Sequence, residues 1–120
     1  MPHLNDLAYD SLVNTWTEND EGSANSILTV IHAAAAARRH AVMKADASYS
    51  SSTASGLLRV LFGTTVMARK YIHGAGAIDL GSMGLLNPDA NEAVSADLAA
   101  GGAGVTGTIV LSGYSTDGSI

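Results

Sequence analysis

The chain of 120 residues contains no cysteine. This absence excludes disulfide bonds, thiolate nucleophiles and zinc–thiolate clusters. The only soft metal ligands are four histidines, and they lie on separate segments without the short spacing of a metal-binding pair: His3, His32, His40 and His73. We therefore expect neither a metal nor another cofactor.

Aromatic residues and long apolar runs are also scarce. Aromatic side chains make up 5% of the chain although 47% of it is apolar, and alanine occupies 20 positions, so any core is built from small side chains. No run approaches the roughly 18 to 20 apolar residues of a membrane-spanning helix, and the N-terminus lacks the pattern of a secretory signal. We expect a protein made in the cytoplasm, without membrane contact, whose small core gains stability from a partner.

Basic residues are few and segregated. All six lie between positions 38 and 70, so residues 1–25 carry a net charge of −5, residues 26–70 carry +5 and residues 71–120 carry −5. Two interpretations remain open: scattered solvated charges, or an acidic arm that meets a basic surface of another chain. The overall acidity and the shortage of aromatic residues disfavour nucleic-acid binding.

Residues 1–25 have the composition of an N-terminal arm. The segment is polar and acidic, and its isolated apolar residues predict contact with a partner surface: Leu4, Leu7, Tyr9, Leu12, Val13 and Trp16. Trp16 is the only tryptophan and the best single anchor for docking. The alternative is that Trp16 covers the edge of the protein's own core.

From residue 26 onward, apolar residues recur with the period of two that is typical of strands. Residues 26–32 are rich in β-branched side chains, and from His40 to Ser50 the residues Ala41, Met43, Ala45, Ala47 and Tyr49 alternate with polar ones, interrupted only by Val42. Residues 33–37 are all alanine, which favours a helix by propensity alone. We interpret them as a connection between two strands, with a helix as the alternative.

The second half of the chain continues this pattern. A tight hairpin is expected around Gly63, short strands in the glycine-rich residues 74–92, and alternating strands over residues 93–100 and 108–115. Pro88 excludes a central strand position at that point. The sequence predicts an all-β fold, an antiparallel β-sandwich of about seven or eight strands over residues 26–120.

No catalytic motif stands out. Gly102, Gly104 and Gly107 match a dinucleotide-binding pattern, but a strand rather than a helix is expected to follow them. No G-x-S-x-G elbow occurs, and we expect Asp79 and Asp89 to form turns rather than a catalytic carboxylate pair. The chain is therefore not expected to be an enzyme.

Three stretches resemble small structural proteins of tailed bacteriophages: AAAAARRHAVMKADASYS, LLRVLFGTTVMARKYI and LNPDANEAVSADLAAGGAGVTGTIVLSGYS. In that family an Ala- and Arg-containing turn leads into an alternating strand, then a hairpin with a G-T-x-V centre, a P-x-x-N-x-A-V/L segment and a final strand ending in Gly-Tyr. The resemblance covers about 85 residues and excludes residues 1–25. Its motifs are structural, so no active-site residue is carried over.

The resemblance implies a jelly-roll-like sandwich that assembles as a homotrimer on the virion surface after synthesis in the host cytoplasm. The expected function is that of a capsid decoration or cement protein whose arm binds the major capsid protein. The contact residues of the trimer stay undefined. The alternative is a fibre or tail-tip module that recognises a host glycan, although such modules usually stack sugars on aromatic residues, which are scarce here.

Overall fold

A computed structural model describes residues 13–117 of the chain. Over these residues the fold is all-β, and no helix is present, so none is available to span a membrane. The described strands are β1 (Val13–Glu21), β2 (Leu28–His32), β3 (Arg38–Tyr49), β4 (Ser55–Phe62), β5 (Thr65–His73), β6 (Ala75–Asp79), β7 (Leu85–Leu86), β8 (Val94–Leu98) and β9 (Gly107–Asp117).

The strands form two antiparallel sheets that pack face to face. One sheet has the order β1-β9-β3-β6, with the short β7 beside β3, and the other has the order β5-β4-β8-β2. A single residue pair, His73 with Ala75, links β5 to β6 and joins the two sheets at one side. At the opposite side β1 lies over β2. The expected sandwich is confirmed, with nine strands in the described part of the chain.

The core lies between the sheets and is aliphatic. Its largest fully buried apolar side chains are Leu58, Val60, Val94, Leu98, Ile109 and Leu111, together with Val42. The period of two that predicted β8 and β9 is confirmed, because Val94, Ala96 and Leu98 are buried while Val110 is 40% exposed between two buried neighbours. Each fully buried Leu or Ile stabilises the fold by about 1.5–3 kcal/mol.

A β-bulge changes which residues of β3 face the core. Val42 pairs with Gly113 and Lys44 pairs with Ser112, so Met43 is an extra residue in this strand. His40 and Val42 therefore face inward before the bulge, and Ala45, Ala47 and Tyr49 face inward after it. The sequence grouping of Ala41 and Met43 on the same side as Ala45 was wrong, because the bulge shifts the alternation by one position, although Ala41 is itself fully buried.

The connections largely follow the predictions. Residues 33–37 form a loop, not a helix, and this loop ends at Ala37 with a φ of 58°. The hairpin at residues 63–64 is confirmed, with Gly63 at a φ of 57° that favours glycine. Pro88 lies in the loop between β7 and β8, and the Asp79 carboxylate accepts a hydrogen bond from the Gly81 N–H, as expected of a turn.

The loop that contains Pro88 holds the start of β3 in place. The Asn87 and Asn91 N–H groups donate to the carbonyl oxygens of His40 and Arg38. Asn87 is 1% exposed, and its side chain donates to Glu92 Oε1 at 2.9 Å. The Asn91 side chain accepts from the Ala37 N–H at 2.8 Å. This loop thus fixes the position of His40, which belongs to the cluster described next.

Candidate functional site

The segment assigned to the arm enters the sheet. Residues 13–21 form β1, which pairs with β9 over its full length from Val13–Thr116 to Glu21–Thr108. Strand structure is therefore present before residue 26, in Val13–Glu21, because the edge of β9 offers a complete row of hydrogen bonds to a polar strand. Leu4, Leu7, Tyr9 and Leu12 lie outside the described residues, and their role as contacts stays a prediction.

Trp16 packs against its own domain. Its indole ring stacks on His32 of the opposite sheet, with centroids 4.0 Å apart and an interplanar angle of 10°. The indole Nε1–H donates to Ser115 Oγ at 3.1 Å. Stacking and the hydrogen bond hold the side chain in a fixed orientation. This placement corresponds to the alternative in which Trp16 covers the edge of the core.

Two histidines that are far from a metal-pair spacing in sequence meet beside Trp16. The rings of His32 and His40 lie edge to face with centroids 4.4 Å apart, and His32 Nδ1 lies 3.1 Å from Glu18 Oε1. We define the His–Trp cluster as Trp16, His32, His40, Ser115 and Glu18. It connects four strands, β1, β2, β3 and β9, and thus ties the two sheets together at one end.

The hydrogen bonds of His40 define its protonation. Its Nε2 lies 2.9 Å from the Ala33 carbonyl oxygen, which only accepts, so Nε2 carries the proton. Nδ1 of the neutral ring then accepts from the Ser115 hydroxyl at 2.6 Å, and Ser115 Oγ in turn accepts from Trp16. Desolvation by burial lowers the pKa of His40 and so does the charge of His32, against the opposing hydrogen bond to Ala33.

A serine hydroxyl beside a histidine nitrogen also occurs in nucleophilic catalysis. Here Ser115 is 5% exposed and its oxygen already accepts the Trp16 N–H, so the hydroxyl has no access to a dissolved substrate. The second nitrogen of His40 binds a backbone carbonyl rather than a carboxylate. The geometry is that of a buried polar network that joins the sheets.

Among residues 13–117, no group of three or more His, Asp and Glu side chains is placed to hold a metal ion. His73 lies on β5, at the side of the sandwich opposite the His–Trp cluster. In the cluster, His32 Nδ1 contacts Glu18, whereas His40 Nδ1 contacts Ser115 and His40 Nε2 contacts the Ala33 carbonyl oxygen.

The exposed apolar side chains are concentrated at two opposite sides of one sheet. Within the described residues seven large apolar side chains are exposed: Ile27, Ile31, Val66, Met67, Tyr71, Met83 and Val110. Five of these lie in or next to the outermost strands β2 and β5. Ile27 and Tyr71 are 72% and 73% exposed. The exposed apolar side chains therefore lie mainly at the two outer strands of this sheet.

The two sides differ in charge. We call the side formed by β1 and β2 the acidic edge, because β1 carries Glu18, Asp20 and Glu21 and no basic residue. We call the side formed by β5 the basic edge, because β5 carries Arg69 and Lys70 and no acidic residue. Within residues 13–117, β1, β2 and most of β5 have a partner strand on one side only.

The outer sheet face between the two edges carries one well-formed ion pair. Arg59 of β4 donates to both carboxylate oxygens of Asp97 on β8, at 2.8 and 2.6 Å. This bidentate contact raises the pKa of Arg59. A shallow concavity beside the pair is lined by Ile27, Leu57 and Ala99. The apolar surface at the acidic edge therefore extends from Ile27 to Leu57 and Ala99 on the outer face of the sheet.

Comparisons with known proteins add no identification. No protein-family model matches the chain, and no curated protein matches it either. The function is therefore inferred from the residues and their geometry.

Proposed function

We propose that this chain is a non-enzymatic structural protein of a tailed-bacteriophage virion. In this proposal it is a capsid decoration or cement protein that forms homotrimers and binds the lattice of the major capsid protein. The observation that supports the proposal most strongly is the strand order of the two sheets, β1-β9-β3-β6 and β5-β4-β8-β2.

This order is consistent with a jelly roll. The chain passes from one sheet to the other between β1 and β2, between β2 and β3, and between β3 and β4, and it crosses again after β5 and at each end of β8. Only β4 and β5 follow one another within a sheet as a hairpin of long strands. Repeated passage between the two sheets around a common core is what a jelly roll predicts, and jelly rolls include viral capsid domains.

The buried network of the His–Trp cluster also fits a structural role. Trp16 and Glu18 connect the strand β1 to Ser115 of β9 and to His32 of the opposite sheet. The polar groups of Ser115 and His40 are satisfied by partners inside the protein. A cement protein has to keep its fold while it joins other subunits, and edge strands fixed in this way serve that need.

The proposed capsid contact lies in residues 1–12, with Leu4, Leu7, Tyr9 and Leu12 as its apolar residues. A deletion that tests this contact should end at Leu12, because residues 13–21 form β1 and a longer deletion would remove the strand that pairs with β9. The matched control is Trp16→Phe, which changes the adjoining strand but leaves residues 1–12 in place.

The test uses heads purified from a phage strain that lacks the gene for this chain. Wild-type protein and the Trp16→Phe variant are expected to co-sediment with the heads at a fixed, saturable ratio to the major capsid protein. The protein lacking residues 1–12 is expected to keep its far-ultraviolet circular dichroism spectrum and to remain in the supernatant.

Failure of the wild-type protein to bind intact heads would contradict the proposed function. Saturable binding to a glycan array in the same preparation would instead favour the glycan-recognising alternative. If the truncated protein binds heads as well as the wild type does, the contact lies elsewhere on the domain and residues 1–12 have no role in it.

A further inference from the structure

We infer that three copies of this chain associate through the outer face of the sheet β5-β4-β8-β2, with the strands running along the three-fold axis. This inference rests on the homotrimer in the proposed function and names its contact surface. We call this surface the trimer face, and it consists of the side chains on these four strands that point away from the core. They lie at three levels along the strands, a charged level between two largely apolar ones.

The first level is apolar from one side of the face to the other. Leu57 of β4 pairs with Tyr71 of β5, and Leu57 shares a shallow concavity with Ala99 and with Ile27, the residue before β2. The two outermost side chains, Ile27 and Tyr71, are 72% and 73% exposed. The largest apolar exposure at this level is therefore at both sides of the same face.

The third level repeats this arrangement. Ser95 of β8 pairs with Ile31 of β2 and with Leu61 of β4, and Leu61 pairs with Val66 of β5. The outermost side chains, Ile31 and Val66, are 57% and 38% exposed. In a ring of identical copies the β5 side of one face meets the β2 side of the next, so apolar residues at equal levels come together. A second copy of this chain thus covers both sides of the face at both levels.

The charged level favours the same occupant. Arg59 is held by both oxygens of Asp97, and Asp97 is paired with Thr29 of β2. On its other side Arg59 is paired with Arg69 of β5, which makes no ion pair within residues 13–117. In the ring, Arg69 lies beside Thr29 of the next copy, one strand from the Asp97 carboxylate. A shift by one level would bury these charges against apolar side chains, so the charged level fixes the alignment of the copies.

The dimensions of the face close a ring of three. Four strands at a spacing of about 4.8 Å occupy a width of about 19 Å. When three such faces form the sides of a triangle, each lies about 5.5 Å from the axis, close to half the distance of about 10 Å between packed sheets. Side chains from the three faces can therefore fill the centre. Four copies would place each face about 9.5 Å from the axis and leave an open channel.

The absence of cysteine from the chain permits a cross-linking test. The matched variant carries Ile27→Cys with Tyr71→Cys, two positions at the first level and away from Asp89 and Glu92, which adjoin the other end of β5. Within one chain the two positions are three strand spacings or about 14 Å apart, whereas a disulfide requires Cα atoms within about 7 Å. Between neighbouring copies they meet. Oxidation is expected to give a covalent trimer on non-reducing gel electrophoresis.

Control variants test the levels. Ile31→Cys with Val66→Cys is a second matched pair, at the third level, and is expected to give the same covalent trimer. Ile27→Cys with Val66→Cys combines levels that are about 13 Å apart along the strands, so no covalent trimer is expected. Each single variant lacks a second cysteine within reach and is expected to remain uncross-linked. Circular dichroism of every variant reports whether the fold is retained.

Sedimentation equilibrium up to about 100 µM measures association without cross-links. Wild-type protein is expected at about three times the 12.2 kDa chain mass. Tyr71→Ser removes a large apolar side chain from the contact and is expected to weaken association about tenfold or more. Met83→Ser changes a side chain that is 77% exposed but lies outside the trimer face, and it is expected to leave the mass unchanged.

The outcomes separate this inference from the proposed function. A wild-type trimer in which neither matched pair forms a covalent trimer would overturn the trimer face and leave the virion role standing. Equal cross-linking of matched and mismatched pairs would overturn the alignment by levels. A wild-type monomer or dimer would overturn the three-fold association, while binding to phage heads is judged separately by co-sedimentation.

Discussion

Acidification is expected to destabilise the fold through His40. This residue is 1% exposed, and burial is the main reason that its pKa is lowered below the usual value of about 6.5 for histidine. Above that value both the folded and the unfolded chain hold a neutral His40, so the full stability is present. As the pH falls below it, the unfolded chain takes up a proton that the folded chain refuses, and stability is lost until the lowered pKa is reached.

The magnitude follows from proton linkage. One proton bound only by the unfolded state lowers the free energy of unfolding by up to about 1.4 kcal/mol for each pH unit. Domains of this kind have about 5–15 kcal/mol in total, so the loss is readily measured. Protonation of His40 makes Nδ1 a donor, so the hydrogen bond that the Ser115 hydroxyl donates to Nδ1 is lost.

The assay is urea unfolding followed by circular dichroism at pH values from 7.5 to 5.0. Because carboxylates also titrate in this range, the readout is the difference in slope between wild type and His40→Gln. The control is His73→Gln, which removes an exposed histidine on β5. We expect the His40→Gln slope to be shallower than that of the other two proteins. Equal slopes for all three would refute the assignment of the acid sensitivity to His40.

Three further changes test the packing by the same unfolding measurement. Trp16→Ala is expected to cost about 2–4 kcal/mol because stacking and a hydrogen bond are lost, whereas Trp16→Phe should cost about 1 kcal/mol; equal losses would contradict the contribution of stacking. In Gly113→Ala the added Cβ would meet the Ala41 carbonyl and lie 2.6 Å from the Trp16 ring, so a loss of about 3 kcal/mol or more is expected. The control Gly22→Ala, which meets Leu28 at an ordinary 3.4 Å, should stay within about 1 kcal/mol of wild type. Ala37→Gly relieves a φ of 58° and is expected to stabilise the protein by about 0.5–1 kcal/mol, and destabilisation would contradict the strain.

The sequence predicted the strands wherever burial alternates along them without interruption. Neither β8 nor β9 contains an extra residue, so buried and more exposed positions alternate along them. The period of two is therefore enough to predict both strands. In β3 the bulge at Met43 shows in the sequence only as a break in the alternation, where Val42 and Met43 are both apolar and Lys44 follows. The pattern therefore identified the strand and misassigned its first half.

Strand β1 was not predicted because its residues are poor strand formers by themselves. Asn, Asp and Glu make up five of its nine positions, and such residues are depleted in strands. The strand forms because β9 presents an unpaired edge and because Trp16 supplies an apolar anchor between the sheets. Both reasons are tertiary, so neither can be derived from the local sequence of residues 13–21.

One residue did carry a usable signal for the His–Trp cluster. Gly113 interrupts the otherwise alternating strand β9, and a glycine inside a strand marks a place where another group approaches the backbone closely. Gly113 is paired with Trp16 on one side and with Val42 on the other, and the indole ring occupies the space that a side chain at this position would fill. The ring thereby reaches Ser115, two residues along β9 on the same face. A glycine within a strand that the alternating pattern predicts, in a chain with a single tryptophan, therefore favours that tryptophan as an internal packing residue over a free docking anchor.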